Sequence, residues 1–410
     1  MSGTSAAEGK VRVRTGLDRL ADGETHPLLQ GRRIGLITNP TGITADFRTA
    51  VDVCASLPDA RLTALFAAEH GLYGQRQAGE RFGDEVHPQL GIPVFSLYGE
   101  RKKPTPELLE TVDTLVFDMQ DLGVRFYTYL STLLYAIEAC AACGKALLVL
   151  DRPNPLGGSK AEGGLLREGY ESMVGAWRMP IRTGMTIGEL ARMAGDLTGS
   201  GCELGVMEMD GWNRSMEFGD TGQPWMLPSP NMPTIDTVRV YAGTCFFEGT
   251  NMSEGRGTTR PFEWIGAPWL DGSRLADAMN EEKLPGVRFH AVYQTPTFSK
   301  HAGELCGGVR LFVTDRQAFD SVETGLRLLR AAMRLHPDRF RWLEPPPGGR
   351  RPFIDLLAGG HELRERIGQP DGVEQLSAAW REESAEWLRR RRAYLLYEAQ
   401  DEQKEGSGSA

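Results

Sequence analysis

From about residue 33 the chain alternates short apolar runs with amphipathic stretches. RIGLIT (33–38) has no charged interruption after its first residue and reads as a buried strand, closed by the turn-rich NPTGIT. A helix is predicted over about 46–56, then strands at LTALFAA (62–68), IPVFSL (92–97) and TLVFDM (114–119). From Phe126 onward, Phe126, Tyr129, Leu130, Leu133, Leu134, Ile137 and Cys140 share one helical face. Gly144 supplies the stop, and KALLVLD (145–151) is the next strand. Strands apolar on both faces and separated by helices imply a parallel sheet covered on both sides. The fold class is therefore α/β, with a doubly wound parallel sheet in the first half of the chain.

Residues 152–270 are rich in glycine and proline and read as loops around shorter elements. A second, smaller α/β pattern follows: strands at 287–294 and 308–315, a helix over 315–336, then two or three short helices. The expected division is an N-terminal segment (1–30), a doubly wound domain whose loop-rich second half carries the cleft (31–270), and a smaller α/β domain (271–400). A disordered tail (401–410) ends the chain.

Bulk properties narrow the function. A chain of 410 residues carries enough sequence for two domains. A net charge of −9 argues against a nucleic-acid partner, whose footprint would be a basic patch. The run Arg389 to Arg392 lies in a glutamate-rich helical pattern and reads as a solvated helix face. No segment approaches the ~20 apolar residues needed to span a bilayer, so no membrane partner is expected. The N-terminus lacks the apolar core of a secretory signal, which points to the cytoplasm for the chain as written. A leader already removed would place it in the periplasm or outside the cell. Cys140 and Cys143 form a C-x-x-C inside an apolar helix with no second pair, the pattern of buried thiols rather than of zinc or redox chemistry.

Ligands of open parallel sheets bind beyond the carboxyl ends of the strands. Asn39 follows the first predicted strand, Glu69 and His70 the second, Asp118, Gln120 and Asp121 the fourth, and Asp151, Arg152 and Asn154 the fifth. Acids at three such ends suggest an acidic floor suited to a cation or to a hydroxyl-rich substrate. There is no G-x-G-x-x-G after the first strand, no Walker A lysine loop and no paired-histidine spacing, so no cofactor or metal is expected. A magnesium site on Asp118, Asp121 and Asp151 is the metal-dependent alternative. For glycosidic cleavage one carboxyl must deliver a proton to the departing oxygen, and Glu69, set between an apolar run and glycine turns, fits best. The loop 246–269 holds Asn251, Glu254 and Arg256 among glycines and aromatic residues, which suits a rigid sugar-binding surface. Arg125, Arg256, Arg260, Lys300 and His301 either clamp a substrate carboxylate or balance the acids. Trp264 and Trp269 either stack on sugar rings or pack in the core. No G-x-S-x-G elbow is present, which disfavours an ester or amide hydrolase.

These segments together resemble one family, the NamZ-like exo-β-N-acetylmuramidases. The motifs are GRRIGLITNPTG (31–42), FAAEHGLYGQRQAGE (66–80), VFDMQDLGVRFYTYLSTL (116–133), LDRPNPLGG (150–158), PSPNMPT (228–234), EGTNMSEGRGTTRPFEWIGAPW (248–269) and FSKHAGELCGGVRLFVTD (298–315). The resemblance implies a Rossmann-like domain, a smaller C-terminal domain and a cleft between them. It also implies release of terminal, non-reducing β-linked N-acetylmuramic acid from peptidoglycan fragments, so the expected partners are peptidoglycan-derived amino sugars. The glutamate of the family's E-H-G motif maps onto Glu69, the expected general acid. His70 and Asp121 join it as catalytic candidates. The expected substrate-binding set is Asn39, Asp118, Gln120, Arg125, Tyr127, Asp151, Arg152, Asn231, Asn251, Glu254, Arg256, Lys300 and His301. The partner group is open among Asp118, Asp121, Asp151, Glu254, Tyr127 and the substrate's own acetamido group. Ala67 and Ala68 stand where many relatives carry Gly-Pro, a change in loop stiffness that leaves the carboxyl in place. A sugar-binding protein without turnover is the non-enzymatic alternative. Oligomeric state is not legible.

Overall fold

The structure is a computed structural model that describes residues 13–199, 201–345 and 348–398. The tail expected to be disordered lies outside them. The first half runs α1 (Gly16–Ala21), β1 (Arg32–Thr38), α2 (Ala50–Ala55), β2 (Ala60–Ala67), β3 (Glu85–Val86), β4 (Pro93–Ser96), β5 (Thr114–Asp118), α3 (Tyr129–Cys143), β6 (Ala146–Leu150), α4 (Ile187–Thr198) and β7 (Glu203–Met207). The second runs α5 (Phe218–Thr221), α6 (Ile235–Thr244), β8 (Trp264–Ala267), α7 (Gly272–Glu281), β9 (Val287–Gln294), β10 (Cys306–Val313), α8 (Ser321–Leu335), α9 (Phe353–Ala358), α10 (Glu362–Arg366) and α11 (Gly372–Arg390). Among the described residues no helix is long and apolar enough to cross a membrane.

Seven strands form one sheet in the order β3-β4-β2-β1-β5-β6-β7, parallel except for the short β3. Every side chain of β5 and β6 is buried, as their unbroken apolar runs require. The chain winds outward from β1 through β2 to β4, then returns to β5 and winds the other way. The switch point between β1 and β5 is where such a fold places a ligand. A three-stranded antiparallel sheet, β8-β10-β9, forms the second layer system. One apolar core is continuous from Phe117 and Val149 of the large sheet to Val309 of the small one and Trp387 of α11.

The elements differ from expectation in informative places. α2 starts four residues late, because Thr44 and Arg48 close a turn, Phe47 adopts a φ of +67°, and Thr49 caps the helix through the Asp52 amide. α3 starts at Tyr129 rather than at Phe126, because the Arg125 amide donates to the Ile181 carbonyl and Val124 bridges Arg182. That commitment frees Tyr127 and Thr128 from the helical face. The stretch after 152 is more regular than its composition suggests. α4 is opened by a Thr186–Glu189 capping box, and β7 adds a seventh strand at the sheet edge, where its half-exposed residues lack the apolar signature. The C-terminal helices are not all short: α11 has 19 residues and buries Trp380 and Trp387.

The segment after α11 is tied into the first half. Arg391, expected on a solvated face, is buried, and its guanidinium donates to the carbonyls of Thr183, Gly184 and Gly158. The Tyr397 hydroxyl donates to Asp151 at 2.6 Å and accepts from the Met209 amide at 2.9 Å.

Candidate active site

Two residues past the end of β2, the chain turns sharply. His70 has a φ of +75° and Gly71 one of +77°. A left-handed conformation costs a non-glycine residue about 1–2 kcal/mol, and such strain collects at functional sites. Glu69 is left at the wall of a cavity of about 410 Å³, with 8% of its surface exposed. The Gly79 amide donates to its Oε1 at 3.1 Å and the Thr128 hydroxyl to its Oε2 at 2.8 Å. Thr128 occupies the N-cap of α3 without capping it, so its hydroxyl is diverted to Glu69. Tyr98 also lines this cavity; burial first, then the Glu69 charge, pushes its phenol well above its usual range. An amide only donates, whereas a hydroxyl can reverse. Oε1 is therefore an acceptor in either protonation state, and Oε2 is the atom able to carry a transferable proton.

His70 also lines the cavity. Its Nδ1 donates to the Arg76 carbonyl at 2.9 Å, which leaves the lone pair of the neutral ring on Nε2. Burial lowers its affinity for a second proton. Tyr127, Ser229, Asn231, Tyr241, Phe262 and Arg256 complete much of the wall. The Arg256 guanidinium lies 4.8 Å from the centre of the Phe262 ring. Its Nη1 is in ion-pair contact with Glu248 and bonds Glu254 at 2.9 Å, while its buried Nε has no partner. Lys300 holds the other oxygen of Glu254 at 2.9 Å and also donates to the carbonyls of Phe247 and Met252. Burial alone would raise Glu254, but the charges of Lys300 and Arg256 outweigh it and pull the carboxyl down to about 2. The left-handed Gly255 and Gly257 allow this packing, since a Cβ on either would stand 2.7 or 2.5 Å from backbone oxygens.

Two family models match the chain, described as exo-β-N-acetylmuramidase NamZ, N-terminal, over residues 34–236, and as its C-terminal counterpart over 239–397. The chain belongs to the NamZ family. It is 46% identical over 388 residues to the peptidoglycan β-N-acetylmuramidase NamZ of Bacillus subtilis (strain 168), covering 95% of this chain and 92% of that one. Two crystal structures of DUF1343 family proteins from Bacteroides fragilis NCTC 9343 share its fold. One has a TM-score of 0.86 at 35% identity, covering 95% of this chain and all of the other; the second has 0.75 at 27%, covering 94% and 99%.

Within this NamZ-family cleft the sequence-derived candidates separate. Glu69, His70, Tyr127, Asn231 and Arg256 line the deep cavity, and Glu254, Arg256 and Lys300 an adjoining outer one. The acidic floor is not open. Asp118 is fully buried and paired with Arg152 at 2.6 and 2.9 Å. Asp151 accepts from Tyr397, Thr186 and Gly188. Gln120 spends its amide on the Asp121 and Pro153 carbonyls. The Asn39 carboxamide oxygen closes a turn on Thr41. Arg125 is buried and holds the carbonyls of Gly164, Met179 and Leu357, so it braces loops rather than a substrate. Asn251 ties the Arg339 carbonyl to the Arg341 amide, and His301 bonds the Asn251 carbonyl. Trp264 is core, with its indole nitrogen on the Val292 carbonyl, and Trp269 packs edge-on against His336. The three aspartates of the metal alternative do not converge: among the described residues no group of three acidic, histidine or cysteine side chains is placed to hold a metal ion.

Asp121 is buried and lines neither cavity. One oxygen accepts from the Gly123 amide, the other has no partner, and burial pushes the carboxyl up to about 7. The folded state thus binds this proton more tightly than the unfolded chain, whose aspartate titrates near ~4. Stability from this group is complete below ~pH 4 and is lost as pH rises to about 7. Asp121→Asn keeps the acceptor for Gly123 and removes the titration. Urea unfolding at pH 4.5 and 7.5 should show the wild type losing ~2–3 kcal/mol more than the variant across that interval. Asp151, also raised to about 7 by burial, retains its share in both proteins.

Proposed function

We propose that this chain is an exo-acting β-N-acetylmuramidase in which Glu69 protonates the departing glycosidic oxygen. The observation that carries the reading is the Glu69 carboxyl itself. It stands at the wall of a sugar-sized cavity, anchored on Oε1 by an amide that only donates and bonded on Oε2 by a hydroxyl that can reverse. The terminal sugar enters the deep cavity, and its lactyl carboxylate meets Arg256, whose Nε is, with the Tyr127 hydroxyl, an unpaired donor there. Apart from Glu69, the carboxyl at the cavity wall is Glu248, committed to Arg256. Asp121 is buried and does not line the cavity. That arrangement favours the substrate's acetamido oxygen as the group that attacks the anomeric carbon, a route in which the protein supplies the acid and holds the ring.

A chromogenic β-N-acetylmuraminide and the matching N-acetylglucosaminide, which lacks the lactyl carboxylate, test the reading directly. Release from the muraminide alone supports it, and release from neither overturns it. Thr128→Val removes the hydroxyl bonded to Oε2 of the Glu69 carboxyl. A hydrogen bond to a charged group is worth about 1.5–3 kcal/mol, so kcat on a natural disaccharide should fall roughly tenfold or more with KM little changed. Steady-state kinetics of the variant measures this.

A further inference from the structure

The deep cavity continues into an outer one, and the two share Ala78, Glu248 and Arg256. The shared wall adjoins the acid, since Gly79, the residue after Ala78, is the one whose amide holds Glu69. A proton donor must face the bond being broken, so the scissile linkage lies at this boundary. An exo-acting enzyme keeps the terminal sugar in the enclosed space and lets the remaining glycan leave through the open one. The walls agree with that assignment: Phe126, Tyr127, Tyr241 and Phe262 of the deep cavity are buried, whereas Gln77, Ala78, Phe298 and Ser299 of the outer one are exposed.

Phe298 belongs to the connection between β9 and β10 and is 41% exposed. Its backbone is fixed on both sides. The Thr297 amide and hydroxyl both donate to the Gly257 carbonyl, at 2.8 and 2.9 Å. Lys300 is held by three carbonyls and Glu254. Between them Ser299 adopts a φ of +68°, a strained conformation for a residue with a Cβ. The fold therefore spends strain and a cation to display one aromatic ring at the mouth of the cleft.

We propose that the outer cavity is the leaving-group subsite and that Phe298 stacks on the apolar face of the next sugar of the glycan, an N-acetylhexosamine. The claim rests on the muramidase reading of the deep cavity. A ring held in place before binding loses little freedom on contact, so its stacking energy appears as affinity. Phe298 thereby sets preference for a sugar over a small leaving group while contributing nothing to recognition of the terminal muramic acid.

Two substrates separate the subsites: the β-linked N-acetylmuramyl–N-acetylglucosamine disaccharide, and β-N-acetylmuramyl fluoride, whose leaving group is a single atom. Phe298→Ala should lower kcat/KM on the disaccharide about tenfold and leave fluoride release within about twofold of wild type. Phe298→Trp should retain disaccharide turnover. The unchanged fluoride rate also reports that the variant folds. Equal losses on both substrates, or an unaltered disaccharide rate, overturns the proposal. If wild-type protein releases neither product, the muramidase reading fails first and the subsite falls with it.

Discussion

Glu69→Gln is expected to lower turnover of a natural β-linked muramyl disaccharide by at least ~10²-fold, the lower range for a positioned general acid. Glutamine keeps the size of the side chain and an oxygen for the Gly79 amide, so the loop after β2 has no reason to move. What disappears is the proton on the second oxygen, beside Thr128. A sugar leaving group has an alkoxide too basic to depart unprotonated, whereas fluoride departs without that help. The loss on the fluoride should therefore be far smaller, and KM for the disaccharide should stay near the wild-type value. Parallel kinetics on both substrates decide the matter. An equal loss on both would show that Glu69 shapes the cavity rather than delivering a proton.

Arg256→Met carries the largest expected cost in stability. The guanidinium joins Glu248 and Glu254 in a mostly buried cluster and covers one face of Phe262. Methionine replaces the packing volume but leaves Glu248 without its counter-charge and Glu254 with Lys300 alone. Removing one partner of a buried ion pair costs about 3–5 kcal/mol, because the surviving charge stays out of water. Urea unfolding at neutral pH should register a loss of that size. Adding Glu248→Gln should restore a substantial part, since it neutralises the charge that burial already disfavours. A double variant no more stable than Arg256→Met would place the cost in lost packing instead. The loss of muramic acid binding expected from either variant is separable, because it appears in KM while the protein is still folded.

How much of this was legible in the sequence follows from the physics of each signal. The strands β1, β2, β5 and β6 were readable because each is an unbroken apolar run, and burial on both faces permits little else. β7 was not, because a sheet edge tolerates Glu203 and Gly205. The strand-end rule points to Glu69 and His70, which line the deep cavity, but overreaches at Asp118 and Asp151. A one-dimensional reading cannot tell a carboxylate that faces ligand from one that Arg152 or Tyr397 has already claimed. Tyr98, which lines the cavity, was within reach because it directly follows the strand 92–97. Thr128 was hidden by the assumption that the helix begins at Phe126. Glu248 stands in a short 3-10 turn before the glycine-rich loop, where nothing in its neighbours marks it as an arginine's partner. Arg125 and Arg391 were misjudged for a shared reason, that loop carbonyls needing a donor leave no trace in composition.

The clasp between the segment after α11 and the first sheet bears on how the protein comes into being. Met209, Asp151 and the carbonyls of Gly158, Thr183 and Gly184 wait for donors or acceptors from Arg391 and Tyr397, which leave the ribosome long after them. Until those arrive, the half that carries Glu69 holds polar groups it cannot satisfy alone. Synthesis order and assembly order are thus opposed here, and the acid-bearing half becomes complete only after residues 391–397 have been made.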